Sequence, residues 1–166
     1  MSTNNLIVFL DFDGVLHPEP CAEGNHFCNV PLFESAMDAL PGAQIVISSS
    51  WAHTAKWSAV VAPFSSAIAA RIIGKTPIFG TFKPNPKFSN YTRDAECREW
   101  LRANNKPAEW WIAIDDRAYL FRPLCENLVR CDPETGLTVS SLREISRAVL
   151  LLEIPPRTSP RVIRCF

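Results

Sequence analysis

The sequence predicts an α/β fold, a parallel sheet with helices packed on both faces. Three observations carry that prediction. Short apolar runs at Leu6–Leu10, Ile45–Ile47 and Trp110–Ile114 are continuous rather than alternating, as in strands buried on both sides. Helical stretches separate them, so strand and helix alternate along the chain. Polar groups directly follow each run: Asp11 and Asp13, Ser48–Ser50, and Asp115 with Asp116. Ligands of such sheets gather at the carboxyl ends of strands, so all three sets are expected at one edge.

Element by element, Leu6–Leu10 gives the first strand through its β-branched and aromatic content. Residues 17–31 are rich in Pro, Cys, Gly and Asn and read as loop. Pro31 suits a first helical position, and Leu32, Phe33, Ala36, Met37 and Leu40 form an apolar stripe that Pro41-Gly42 ends. Ile45–Ile47 is the second strand. A helix is expected over 53–61, closed by Pro63, and a third strand over Arg71–Ile73. Residues 74–90 contain Gly74, Pro77, Gly80, Pro84 and Pro86, so they read as irregular structure or a flap. Residues 93–104 look helical, with Cys97, Trp100, Leu101 and Asn104 on one side and Thr92 or Asn90 as cap. Trp110–Ile114 is the fourth strand and Asn127–Cys131 the fifth. Ser141 to Glu144 matches a capping box ahead of Ile145, Val149, Leu150 and Leu152, and Pro155-Pro156 stops that last helix. The expected organisation is one domain over 1–166, with its core at about 6–152 and a tail over 153–166.

Composition narrows the function. Of 166 residues, 47% are apolar and 20% charged, enough to fill a core and to exclude wholesale disorder. Seventeen basic and 17 acidic residues balance, which argues against a globally basic, tight and nonspecific nucleic-acid binder. The balance hides a split. Six of the acids and none of the basic residues precede Lys56, and no acid stands between Asp38 and Asp94. The N-terminus has no basic leader region, and its five-residue apolar run is short of the ~7–15 of a secretory segment and the ~20 of a membrane span. A cytoplasmic protein with no membrane partner is expected, with Cys21, Cys28, Cys97, Cys125, Cys131 and Cys165 as free thiols. His17, Cys21, His26 and Cys28 are all of zinc-ligand type. Their spacing matches no familiar tetrahedral pattern, so they read as a loop that holds Cys and His, with metal binding left open.

Four carboxylates at one edge repel one another unless a cation sits among them. A hard divalent ion with oxygen ligands fits, and Mg²⁺ is the natural choice; the chemistry it supports is phosphoryl transfer. Of Asp11 and Asp13, two apart, one carboxylate can attack phosphorus while the other handles the leaving-group proton. Gly14 permits a tight turn or close backbone approach. Ser48, with Ser49 after it, stands where a hydroxyl and amides can hold a phosphate. The balancing cation comes from Lys56, Arg71, Lys75, Lys83, Lys87 or Arg93. Arg93 is favoured because it opens the helix leading into the Asp115-Asp116 strand.

Taken together these residues resemble the haloacid dehalogenase (HAD) superfamily. Leu10-Asp11-Phe12-Asp13-Gly14-Val15 is similar to its first motif, Ile45-Val46-Ile47-Ser48 to its second, and Ile112-Ala113-Ile114-Asp115-Asp116 to its fourth, in order across roughly residues 6 to 130. The resemblance implies a Rossmann-like fold with Asp11 as nucleophile and Mg²⁺ ligand. It implies Asp13 as general acid/base that lends Mg²⁺ its backbone carbonyl, Ser48 as phosphoryl binder, and Asp115 and Asp116 as metal ligands. Asp13 itself resembles the phosphatase branch. The third motif departs: the family usually has Lys, where Arg93 stands here, and Lys75 and Lys87 remain alternatives. More narrowly, Ile47-Ser48-Ser49-Ser50-Trp51, the segment from Arg93 to Leu101, and Asp132-Pro133-Glu134-Thr135-Gly136-Leu137-Thr138 resemble HAD-like domains of multidomain RNA-repair proteins.

About 30 residues separate the first two strands and about 20 the next two, so neither gap holds a full cap domain. The expected substrate is a small phosphate ester or a phosphorylated nucleic-acid end, and the expected enzyme an Mg²⁺-dependent phosphatase. The alternative is a non-catalytic module that keeps the fold. Trp51 could stack on a leaving group, but a core role is favoured for it as for Trp100, Trp110 and Trp111. His17 either helps at Asp13 or has no role. The acid-free stretch, with Phe79, Phe82, Phe88 and Tyr91, suits a solvated loop more than a strand-guiding surface. The oligomeric state is not legible.

Overall fold

The structure, a computed structural model, describes residues 6–153. Five strands form one sheet: β1 (Ile7–Leu10), β2 (Gln44–Ile47), β3 (Ile72–Lys75), β4 (Trp111–Asp115) and β5 (Leu128–Arg130). Their order is β3-β2-β1-β4-β5, and every pair is parallel. The longer helices are α1 (Val30–Asp38), α5 (Thr92–Ala103) and α6 (Val139–Leu152). Three short ones, α2 (Trp51–Thr54), α3 (Trp57–Val61) and α4 (Ser66–Ala69), lie between β2 and β3. The predicted Rossmann-like α/β class is the observed one.

Strand alternation divides the core into two layers. Leu6, Val8 and Leu10 join Ile45, Ile47, Ile112 and Ile114 under α1 and α6, which bring Phe33, Met37, Ile145 and Val149. Ile7 and Phe9 point the other way and meet Val46, Trp111 and Ala113 under Cys97, Trp100 and Leu101 of α5. Phe9 stands edge-on to Trp100 and Trp111, with centroids 5.9 and 5.6 Å away. The continuous apolar runs follow from this double burial: β1 is buried at every residue, and so is β4.

Register places the site. Leu10 pairs with Ile47 on one side and Ile114 on the other. Asp11, Ser48 and Asp115, each one residue further, therefore sit at the same level on the central strands. Two backbone bonds carry the register past the strand ends, Asp11 N–H to the Ile114 carbonyl (3.1 Å) and Ser48 N–H to the Leu10 carbonyl (2.9 Å).

Several local expectations are corrected. The helix expected over 53–61 is broken, because Ala55 and Lys56 are extended. Within that stretch only Val60 is fully buried, so no continuous apolar stripe holds a middle turn. The last helix begins at Val139, two residues before the expected box. Thr138 is its cap and donates its N–H to Ser141 Oγ at 3.1 Å, so Ser141 lies inside the first turn. The third strand runs two residues further than expected, to Lys75, and Asp115 belongs to β4 rather than following it. Residues 76–91 are irregular apart from a single 3-10 turn at Pro86–Phe88. The Pro155-Pro156 stop, the tail beyond Glu153 and Cys165 lie outside the described residues. Cys21, Cys28, Cys97, Cys125 and Cys131 are free thiols. Among the described residues no helix is long and apolar enough to cross a membrane.

Phe9 is the test of the α5 layer. Phe9→Ala removes a fully buried ring and should cost about 3–5 kcal/mol in urea unfolding. A loss under about 1 kcal/mol would mean that this layer is not close-packed.

Candidate active site

The site is assembled from three strand ends and the start of α5. Asp11, Asp115 and Asp116 each offer a carboxylate oxygen, and these oxygens lie within 4.8 Å of one another. All three residues are buried. Arg93, in the first turn of α5, reaches between them: Nη1 donates to Asp115 Oδ2 at 2.9 Å and lies 3.1 Å from Asp11 Oδ2. Backbone amides fix the carboxylates further. Phe12 N–H donates to Asp11 Oδ1 and Arg117 N–H to Asp115 Oδ1, both at 2.8 Å.

Gly14 closes the group. Its φ is +67°, and a Cβ there would stand 2.6 Å from Asp116 Cγ. The tight turn expected at Gly14 is present, and the group it admits so closely is the Asp116 carboxylate.

Electrostatics show how crowded these charges are. Burial works against the Arg93 guanidinium, but Asp11 and Asp115 outweigh it and raise its pKa further. Asp115 is pushed up to about 7. Burial is the main cause, Asp11 adds to it, and Arg93 and the Arg117 amide only partly oppose it. Burial, followed by Asp11, also raises Asp116. Arg93 and the more distant Arg117, whose Nε lies 3.9 Å from Asp116 Oδ1, do not fully neutralise three buried carboxylates.

Asp13 stands apart from that trio. Trp51 Nε1 donates to both of its carboxylate oxygens, each at 3.0 Å, and His17 Nε2 lies 3.1 Å from Oδ1. Phe27 N–H donates to His17 Nδ1 at 3.3 Å, which makes Nδ1 the acceptor and leaves the proton on Nε2, facing Asp13. Trp51 and His17 thus hold Asp13 in one orientation. Phe12 and Phe27 pack edge-on against Trp51 at 6.2 and 5.3 Å and keep its indole in place.

Ser48 and Ser49 are buried at the end of β2. Ser49 Oγ accepts weakly from Trp51 N–H at 3.5 Å. Ser48 Oγ and Asp116 Oδ1 are the two buried side-chain polar atoms with no hydrogen-bond partner among the described residues. A buried hydroxyl and a buried carboxylate oxygen without hydrogen bonds are costly unless a ligand completes them, and the Arg117 Nε contact to Asp116 Oδ1, at 3.9 Å, is too long to serve as one. A cleft of about 270 Å³ opens beside Ser48, lined by Ser49, Ser50, His53, Ile78, Arg93 and Glu96.

The structure brings together most of the sequence-derived site. Asp11, Asp115, Asp116 and Arg93 converge, and Ser48 lines the adjoining cleft. The Asp13 carboxylate is not in the metal-type cluster, so any part it has in metal binding falls to its backbone carbonyl. Of the three candidates for the third-motif cation, Arg93 is the one in contact with the carboxylates. Lys75 Nζ instead donates to the Ala52 carbonyl at 2.6 Å, and Lys87 lies in the exposed turn at Pro86–Phe88. The helix after Ser48 is a single turn, too short for its dipole to matter much. The sequence alone favours a core role for Trp51 and none in particular for His17. Both are bonded to Asp13, and the available signals were position: Trp51 closes the Ser48–Ser50 run and His17 is four residues from Asp13.

A Rossmann-like parallel sheet whose strand ends carry Asp-x-Asp, Ser and Asp-Asp defines a HAD-type domain. The family model for the HAD domain in Swiss Army Knife RNA repair proteins matches residues 7–142, and the chain belongs to that family. No curated protein matches the chain. HAD domains typically use Mg²⁺. The donor set here suits it: three hard carboxylates, two of them with pKa values raised by burial and then by neighbouring charge, and one carboxylate oxygen without a hydrogen bond.

Linkage sets the sign of a test. Asp115 has a folded pKa of about 7 against an ordinary 3.8, so the folded chain holds a proton that the unfolded chain releases earlier. Its contribution to stability is full below about 4 and is lost as pH rises to about 7. With divalent ions chelated, the stability of Asp115→Asn relative to wild type should therefore rise with pH across that window. Saturating Mg²⁺ should reverse the order in favour of wild type. Urea unfolding at several pH values reads this, and a pH-independent difference would contradict it.

Proposed function

We propose that the chain is an Mg²⁺-dependent phosphoric monoester hydrolase that works through an aspartyl-phosphate on Asp11 and acts on phosphorylated polynucleotide ends. The observation that carries the reading is the Asp11 carboxylate, pinned by Arg93 and the Phe12 amide, beside a cleft whose Ser48 hydroxyl lacks a partner. An anionic group with several acceptor oxygens, such as a phosphoryl, satisfies both Ser48 and Arg93.

In this reading Asp11 attacks phosphorus in line, and Asp13 gives the leaving-group oxygen its proton. Asp13 then takes a proton from the water that hydrolyses the aspartyl-phosphate on Asp11. Its Oδ1 is engaged by both Trp51 and His17, which leaves Oδ2 as the freer oxygen for that proton. Arg93 balances phosphoryl charge, and Ser48 donates to a phosphoryl oxygen. Mg²⁺, held by Asp11, Asp115 and Asp116 with the Asp13 carbonyl, would neutralise the carboxylates and polarise the phosphoryl group.

The surroundings favour a long substrate. The Ser48 cleft shares His53 and Ile78 with a neighbouring cavity lined by Lys75, Pro77 and Phe82. That cavity shares Phe82 and Glu99 with a third, lined by Lys83, Phe88, Arg98 and Arg102. Arg98 lies over the Phe88 ring at 4.4 Å. Aromatic rings and cations follow one another away from the phosphate position, with Arg98 and Arg102 paired to Asp94 and Glu99, an alternation that suits a strand of bases and phosphates. Among the described residues no inserted cap domain covers the path, and the family's description names RNA repair proteins.

Oligonucleotides carrying a 3′- or 5′-phosphate test the reading. Wild type should release phosphate only with Mg²⁺, and Asp11→Asn should lose at least about 10³-fold in rate. Retention of activity by Asp11→Asn would remove the nucleophile, and inertness toward every phosphate ester with intact Mg²⁺ binding would leave a non-catalytic module. Trp51→Phe keeps an aromatic ring, though a smaller one, and deletes the indole N–H. It should lower kcat about tenfold with little change in KM, since Asp13 acts in the transition state. An unchanged kcat would show that the indole only fills space.

A further inference from the structure

The described residues contain a second cluster of metal-type side chains, on the loop between β1 and α1. The ligand atoms of His17, Cys21 and His26 lie within 4.8 Å of one another. His17 is buried, and Cys21 and His26 are half-buried. The two imidazole centroids are 4.7 Å apart. Among the described residues neither Cys21 Sγ nor a ring nitrogen of His26 has a hydrogen-bond partner, so their lone pairs are available. Phe27 and Trp51 pack edge-on against both rings, at 5.4 and 6.0 Å for His17 and 6.3 and 5.3 Å for His26. Two nitrogens and a sulfur are thus held together in a wall of low polarity.

We propose that His17, Cys21 and His26 bind one borderline divalent ion of the Zn²⁺ type, with water in the fourth position. The chemistry separates this site from the carboxylate cluster. A thiolate and two imidazoles suit Zn²⁺ and offer Mg²⁺ none of the oxygen ligands it needs. The spacing resembles no common finger pattern because the ligands stand along one irregular loop rather than on paired knuckles. Cys28, of the same residue type, is excluded: it is exposed, with Sγ 3.7 Å from Asn29 Oδ1.

The site is joined to Asp13 through His17. Metal-bound imidazoles ordinarily donate their other N–H to a carboxylate or carbonyl. His17 Nε2 already meets Asp13 at 3.1 Å, while its Nδ1 has only the 3.3 Å contact from Phe27. Coordination through Nδ1 keeps the Asp13 pair and gives up the longer contact. A bound ion then fixes His17, and with it Asp13, more firmly than the loop does by itself.

Co²⁺ titration of the full chain, with a phosphine as reductant, tests this without any assay of phosphatase activity. One equivalent of Co²⁺ should give a thiolate-to-cobalt charge-transfer band in the near ultraviolet and the visible bands of a tetrahedral ion. Zn²⁺ should abolish both, and excess Mg²⁺ should not. Cys21→Ser should lose the charge-transfer band, His26→Asn should weaken Co²⁺ binding at least about tenfold, and Cys28→Ser should match wild type. Far-ultraviolet circular dichroism checks that each variant is folded. Absence of the thiolate band, its survival in Cys21→Ser, its loss in Cys28→Ser, or its displacement by Mg²⁺ would each overturn the proposal.

Discussion

The site depends on one repulsion and the ion pair that restrains it. Asp11, Asp115 and Asp116 are buried within reach of one another, and a single guanidinium, Arg93, lies against two of them. Removing Arg93 would leave a cluster of buried like charges, which costs far more than the pair itself contributes. The restraint is incomplete: burial first, and the Asp11 charge after it, still raise Asp115 and Asp116. In the proposed reading a divalent cation completes it.

The sheet makes such crowding possible. Carboxylates from residues 11 and 115 are neighbours because β1 and β4 run parallel and in register, Leu10 opposite Ile114. Parallel strands buried on both faces are rigid, so charges at their ends cannot drift apart to relax. Arg93 is delivered from the α5 layer, whose Trp100 and Leu101 are anchored beneath Phe9 and Trp111. The apolar layer on that side of the sheet is therefore part of the electrostatics of the site: it sets where the guanidinium stands.

The sheet, its parallel sense and the convergence of Asp11, Ser48 and Asp115 were legible because they rest on period and position. Apolar runs ending in polar groups state both. The 53–61 stretch was misread because composition there permits helix, while the burial that would hold a middle turn is missing. Trp51 and His17 were undervalued for a different reason. A tryptophan has an apolar body and one polar atom, and the sequence reports the body. Only the fold shows that Nε1 ends on Asp13. The loop of His17, Cys21 and His26 escaped spacing rules for the same kind of reason. Those rules describe ligands on regular elements, and here the turn geometry of an irregular loop brings them together.

Asp13 is where these threads meet. Its carboxylate is outside the trio and is held by two N–H donors, one from the start of α2 and one from the loop after β1. Two carboxylates on one short turn would otherwise behave alike, both drawn toward the same cation. Directing Asp13 to Trp51 and His17 gives the pair different environments, and different environments are what allow one carboxylate to act as nucleophile and the other to carry a proton. The charge split along the chain acquires a meaning on the same terms. The early acids supply both members of that pair, and the acid-free stretch that follows supplies Lys75 and Lys83 to the cavities beyond the Ser48 cleft, where the carboxylates that line the walls, Glu96 and Glu99, come from α5.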